Sequence, residues 1–445
     1  MVGSSLTVQF TPASRIRSAG RSVLSTAMHV PRRLPGWFFA SLLVSALVAQ
    51  AAPDSWRFDF GSAGATPDAG PRAPFTAEHG YGIEPDSDGA RFSLVVPEGN
   101  YRVTVTLGDA TAAGDTTVKA ESRRLMLEGI RTAPGETVER SFVVNVRNDR
   151  VPPPERNAPG GDRVLLNDRE LGALHWDNKL TLEFVGPRPA VRTVAIERVE
   201  VPTVFLIGDS TVTDQRREPS ASWGQMLPRF FKSDIAVANH AESGETMKSF
   251  ISGLRLAKVL SELKAGDWVF IQFGHNDSKK QWPQTYVEAG TTYNAYLRTL
   301  IAEVRLRGAT PVLMTSVQRR NFNDAGKIVN SHGDYPAAVR DVAAEENVAL
   351  VDLEAMSCAF YEALGPERAP LAFADGGRDK THHNNYGAYE LAKCVVQGIR
   401  DARLDLAAHV RDDVGSFDPA RPDSPETFRI APSPGPEAAE RPRGN

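Results

Sequence analysis

A chain of 445 residues with 41% hydrophobic and 24% charged residues has room for two or three folded domains, and its net charge of −4 excludes a general basic field for nucleic acid. Neither HExxH nor CxxC occurs, so the sequence predicts no metal and no cofactor. With two cysteines, Cys358 and Cys394, it is no disulfide scaffold, and the pair reads as unrelated, partly buried thiols.

Trp37 to Val48 is an apolar run, preceded by Arg32 and Arg33 and followed by Ala49-Gln50-Ala51. That pattern predicts a secretory signal over 1–51, with Met28 as an alternative start, and an exported protein, periplasmic or extracellular, off the membrane after cleavage. An uncleaved anchor is the competing reading.

Over 52–201 the periodicity is two, as in Tyr101, Val103, Val105 and Leu107, or Leu180, Leu182 and Phe184. Alternation broken by Gly, Pro, Asp and Asn predicts an antiparallel β-sandwich, with a Pro/Gly-rich loop from Arg147 to Asp162. Glu200-Val201-Pro202 leaves almost no linker before the next apolar run. The two domains are thus expected to be coupled.

From Val204 strands alternate with amphipathic helices: strands at Val204–Gly208, Ile235–Val237, Trp268–Phe273, Pro311–Ser316 and Ala349–Leu353; helices ending at Leu263 and spanning Tyr293–Arg305, Pro336–Glu346 and Tyr386–Arg400. This predicts a parallel sheet with helices on both faces, a three-layer α/β/α domain over 202–412. Residues 413–445 form an extension that becomes too poor in apolar residues to fold from about Ser433.

Three loops at predicted strand ends, and one before the last helix, concentrate reactive side chains. They are Gly208-Asp209-Ser210-Thr211, Asn239 to Thr246, Gly274-His275-Asn276-Asp277 and Asp379-Lys380-Thr381-His382-His383-Asn384. A serine hydroxyl needs an imidazole to take its proton, and the imidazole needs a carboxylate on its far nitrogen. Such loops contain all three groups.

The four blocks GDST, the Gly244 loop, GHND and DxTH resemble those of the SGNH, or GDSL-type, hydrolases. GDSTVTD, with SWGQ at Ser222 to Gln225 and AESGET at Ala241 to Thr246, is most similar to rhamnogalacturonan acetylesterases. The β-domain resembles galactose-binding-like sandwiches. The resemblance implies a flavodoxin-like SGNH fold, with Ser210 as nucleophile, His382 as base and Asp379 as its orienting carboxylate. It also implies an oxyanion hole from the Ser210 and Gly244 N–H groups and the Asn276 amide. The implied substrate is acetylated pectic polysaccharide; acetylated xylan, another acyl ester, or a non-catalytic carbohydrate-binding role are the alternatives.

Other residues in these loops admit two readings. Asp209 is expected to brace its turn and His275 to pack beneath the GHND loop. His383 is expected at the substrate or surface. Lys279, Lys280, Arg319 and Arg320 are candidate contacts for galacturonate carboxylates or ordinary solvated charges. Trp56, Tyr81, Trp176 and Trp223 read as core more readily than as sugar platforms.

Overall fold

The computed structural model describes residues 54–61, 70–87, 89–435 and 442. The predicted leader over 1–51, the Met28 start and nearly all of the tail beyond 435 lie outside the described residues. Residues after Ala51 form one compact unit.

Among the described residues, nine strands precede Thr203: β1 Ser55–Asp59, β2 Tyr81–Ile83, β3 Arg91–Val95, β4 Gly99–Leu107, β5 Gly114–Ala120, β6 Arg124–Thr132, β7 Val138–Val146, β8 Lys179–Arg188 and β9 Val191–Arg198. They form two antiparallel sheets, in the orders β1-β9-β4-β7 and β2-β3-β8-β5-β6. Strand β4 shows why: Tyr101, Val103, Val105 and Leu107 are buried while their neighbours are half-buried. Such alternation commits one face of each sheet to a shared core. That core includes Phe92, Leu94, Leu182 and Ile196.

Strands β5 and β6 carry no clean alternation and were not expected. Their charged residues Lys119 and Arg124 are buried as well, because the β5–β6 corner packs against the following layer. Lys119 sits between Glu183 and Glu218 at 3.8 and 3.6 Å, and Arg124 pairs with Asp214 at 2.6 Å.

The second half is a five-stranded parallel sheet of β10 Thr203–Gly208, β11 Ala236–Asn239, β12 Trp268–Gln272, β13 Thr310–Met314 and β14 Ala349–Val351, in the order β11-β10-β12-β13-β14. Helices α1 Trp223–Met226, α2 Met247–Ser252, α3 Arg255–Glu262, α4 Thr292–Leu306, α5 Tyr335–Glu345, α6 Leu353–Arg368 and α7 Asn385–Asp401 cover it. Alternate residues of one strand serve opposite layers: Val204 and Leu206 join the core beneath α6 and α7, whereas Phe205 and Ile207 join the core beneath α3, α4 and α5. Two buried faces explain the near-continuous apolar runs. Helix α6 was unforeseen; its sequence contains Gly365-Pro366 in the last turn, and Gly365 has φ +74° where two helical segments meet.

Chain order reverses at β10, which has β11 on one side and β12 on the other. A crevice at the carboxyl ends of the strands follows from that topology. The junction with the sandwich is fixed by hydrogen bonds from Val199 N to Asn100 O at 2.9 Å and from Asn100 Nδ2 to Thr203 Oγ1 at 3.0 Å. After 412 the chain continues across the surface, where Phe417, Phe428 and Ile430 pack on the core beneath α7.

Candidate active site

Ser210 follows β10 by two residues, on a turn tightened by Gly208 and Asp209. A Cβ on Gly208 would lie 2.5 Å from the Gln272 carbonyl and 2.7 Å from Val212, so no larger residue lets the chain leave the strand here. Asp209 braces the turn as expected. Its Oδ1 accepts from the Thr211 amide and hydroxyl at 3.0 and 2.9 Å, and its Oδ2 lies 3.1 Å from His275 Nδ1. Burial pushes the His275 imidazole down, so at neutral pH this ring is an uncharged donor to Asp209.

His382 and Asp379 arrive from the loop ahead of α7. His382 Nε2 lies 2.8 Å from Ser210 Oγ, and His382 Nδ1 lies 2.8 Å from Asp379 Oδ2. The second carboxylate oxygen accepts from the Thr381 and His382 amides at 2.7 and 3.0 Å, which locks the loop around the acid. Burial opposes ionisation of Asp379, but the hydrogen bonds from His382 and the two amides outweigh it and hold the carboxyl well below its ordinary range. All three side chains are 3% exposed or less. A hydroxyl, imidazole and carboxylate in line, shielded from water, can generate an alkoxide-like nucleophile.

Two other loops frame Ser210. Gly244 has φ +87°, a left-handed conformation that suits glycine, in a turn fastened to β10 by Glu242 N donating to Gly208 O at 3.2 Å. Asn276 donates from Nδ2 to Glu245 O at 3.0 Å and accepts at Oδ1 from Lys279 Nζ at 3.1 Å. Its amide is thereby oriented with the NH2 toward the Gly244 loop.

Of the other side chains, His383 occupies a different place from that expected, whereas Trp223 and the two cysteines are found as expected. His383 is 1% exposed, its Nε2 2.7 Å from the Tyr361 hydroxyl and its ring against Phe373 at 4.6 Å. It is therefore a packed core histidine and not a surface group, because the backbone at His383 bridges to Phe373 and turns the ring inward. Arg320 lies over the Phe373 ring and donates to the carbonyls of Gly377 and Asp379, bracing the loop that carries the acid. Arg319 reaches the carbonyls of His275 and Ser331 at 3.4 Å each. Lys279 lies 4.3 Å from the Trp282 ring. Trp223 is fully buried and bonds Gln272 Oε1 at 2.9 Å; Cys358 and Cys394 are free thiols.

A contribution from the sandwich was not foreseen. Arg124 pairs with Asp214 of the GDSTVTD run, Arg123 Nη1 donates to the Gln215 and Ser220 carbonyls at 3.1 and 2.9 Å, and Gln215 Nε2 donates to Ser210 O at 2.8 Å. A buried arginine pair far upstream carries no sequence signal that links it to this loop.

Glu170, His175 and Glu242 bring ligand atoms within 4.8 Å of one another. Glu170 already receives Arg255 Nη2 and, at 3.0 Å, Trp176 Nε1, while His175 Nδ1 lies 2.6 Å from Ser122 Oγ. Arg147, Arg124, Arg216 and Arg255 all act on His175. That surrounding positive charge disfavours a metal cation.

The second half of the chain is similar to known proteins. Residues 206–389 match the model of the GDSL-like lipase/acylhydrolase family. The chain is 38% identical over 220 residues to the rhamnogalacturonan acetylesterase RhgT of Bacillus subtilis, covering 46% of this chain and 93% of that protein. It is 39% identical over 210 residues to the probable rhamnogalacturonan acetylesterase YesY of the same organism, covering 46% and 96%. A third relative, the uncharacterized esterase YxiM, is 27% identical over 386 residues, 79% of this chain and 92% of its own length, so that match extends through the sandwich. The Ser210 turn, the two framing loops and the matched span coincide, and the chain belongs to the GDSL-like lipase/acylhydrolase family.

Proposed function

We propose that this enzyme is an exported carbohydrate esterase that removes O-acetyl groups from pectic polysaccharide, with rhamnogalacturonan as the leading substrate. The observation that carries the chemistry is the unbroken relay from Asp379 through His382 to Ser210, at 2.8 Å for each link. Similarity to two proteins named as rhamnogalacturonan acetylesterases supports the substrate class.

In this reading His382 Nε2 takes the Ser210 proton as Oγ bonds to the acetyl carbon, and the carbonyl electrons move to oxygen. That oxyanion is met by the Ser210 and Gly244 amides and by Asn276 Nδ2, whose orientation is held through Lys279. Collapse breaks the bond to the sugar oxygen, which leaves with the proton from His382, and Ser210 is left acetylated. A water, deprotonated by His382, then releases acetate.

The test is acetate release from acetylated rhamnogalacturonan, acetylated xylan and a chromogenic acetyl ester, by the wild type and Ser210→Ala. Preference for rhamnogalacturonan that vanishes in the variant is expected. Hydrolysis of the chromogenic ester alone refutes the pectin assignment, and activity that survives Ser210→Ala refutes the mechanism.

A further inference from the structure

The loop between β7 and β8 is not left in solvent. Leu165 N donates to Gly253 O at 3.0 Å, Glu170 is paired with Arg255 of α3, and Trp176 packs edge-on against His240. Its central residues thus lie beside the Gly244 loop. Arg169 Nη2 reaches Glu242 Oε1 at 3.5 Å and Ser243 O at 3.4 Å, and Arg216, six residues after Ser210, donates to the Arg169 carbonyl.

Two cavities meet at Ser243. One, of about 300 Å³, is bounded by Arg169, Glu170, Arg216, Arg217 and Glu242, with Pro442 also against it. The other, of about 490 Å³, is bounded by Asn167, Gly244, Glu245, Trp282 and Pro283. The sandwich loop lines both through Asn167 and Arg169, and both adjoin the turn that carries a proposed oxyanion donor. Each is large enough for a sugar ring.

Their chemistries differ. Arg216 and Arg217 are exposed and Arg169 is half-buried, so three guanidinium groups border the first cavity. Guanidinium matches a carboxylate in shape and charge. The two acids there offset them only in part: Glu170 is engaged by Arg255 and Trp176, and Glu242, which burial aided by Glu170 pushes up to about 7, faces Arg169 at 3.5 Å. The second cavity presents the half-buried indole of Trp282, an apolar platform for a pyranose ring.

We propose that residues 167–172 of the β-sandwich form one wall of a glycan groove over the Ser243–Gly244 turn. An acidic sugar binds by its carboxylate at Arg169, Arg216 and Arg217, and a neutral sugar rests on Trp282. The proposal builds on the esterase reading and adds a recognition role for the first domain.

The experiment is calorimetric titration of a deacetylated oligosaccharide of alternating rhamnose and galacturonate into Ser210→Ala, and into Ser210→Ala carrying Arg169→Ala or Arg217→Ala. Affinity is expected to fall about tenfold or more in each arginine variant and to weaken with salt. In an otherwise wild-type background, the same substitutions should raise KM on the acetylated oligosaccharide by a similar factor, with kcat within about twofold. Arg169→Lys should recover part of the affinity, which separates charge from folding. No binding to Ser210→Ala, equal affinity in all variants, or an equal loss for a neutral xylooligosaccharide overturns the groove. Acidic glycan bound but never deacetylated by the wild type instead refutes the esterase reading and leaves the groove standing.

Discussion

Asp379 divides its oxygens between backbone and ring: Oδ1 takes two amides and Oδ2 takes His382 Nδ1. Asp379→Asn would keep an oxygen for the amides and turn an NH2 toward the ring, forcing the tautomer whose Nε2 cannot accept the serine proton. A fall in kcat of about 10⁴, with KM little changed, is expected. Steady-state kinetics on a chromogenic acetyl ester decide it, and a loss below tenfold refutes the relay. Asn276→Ala removes an oxyanion donor and is expected to cost about 10²–10³ in kcat on the same substrate. Asp277, next to it, has the opposite electrostatic character. Its Oδ1 accepts the Met247 amide at 2.9 Å, its Oδ2 is buried without a hydrogen-bond partner among the described residues, and burial pushes its carboxyl up to about 7. The unfolded chain releases this proton near ~3.9, so between ~3.9 and 7 the folded state holds more protons, and this group's contribution to stability falls as pH rises through that window. Asp277→Asn removes the penalty. The melting temperature of the variant relative to wild type should therefore rise between about pH 5 and about pH 8, and a constant difference would contradict the assignment.

At the scale of elements, the β5–β6 turn matters most. Glu121 and Arg123 have φ of +53° and +66°, and this unusual corner aims Arg123 and Arg124 beneath the nucleophile turn. The Arg124 and Asp214 side chains are 2% and 1% exposed, so Arg124→Met leaves an unpaired buried carboxylate. A loss of roughly 3–5 kcal/mol is expected, with much of it recovered by adding Asp214→Leu. Denaturant unfolding of both variants and the double mutant checks this; additive losses would mean the pair is not coupled. These contacts mark what was legible in the sequence. Strands β10 and β12 and helices α4 and α7 could be read because apolar periodicity is a local property, and so could Ser210, Asp379 and His382, each attached to a motif. Strand β5 was missed because GDTTVKA offers Val118 and Ala120 against two charges, and the pairing of Lys119 with Glu183 of β8 and Glu218 of the following layer is set by tertiary contacts. His383 was misplaced for a similar reason: its ring is captured by Tyr361 of α6, a helix that was itself unread. Arg169 is attached to no motif, and tertiary contacts with Glu242 and Ser243 bring it to the site.

Across the whole molecule, the sandwich and the parallel sheet share buried surface to a degree that makes them one folding unit. Leu125 of β6 belongs to the hydrolase core, and β7 packs on β11. Gln225 Nε2 bonds the Ser122 carbonyl at 2.6 Å, and Lys258, 2% exposed, is held by Glu98 at 2.6 Å. The chain returns to the sandwich at its far end, where Lys119 Nζ donates to Ala431 O and Ser433 Oγ at 2.8 Å each. Deleting residues 52–201 would expose the apolar patch under Leu125 and leave Asp214, Gln225 and Lys258 without these partners. Exposing that apolar surface and removing these cross-layer partners draws on a net stability that is typically only about 5–15 kcal/mol for a domain. A chain of residues 202–445 is therefore expected to accumulate as insoluble protein, or as soluble protein without a cooperative thermal transition. Soluble yield, circular dichroism and hydrolysis of a chromogenic acetyl ester decide it. A folded, fully active fragment would mean that the sandwich serves recognition alone and that its arginines do not position the nucleophile turn.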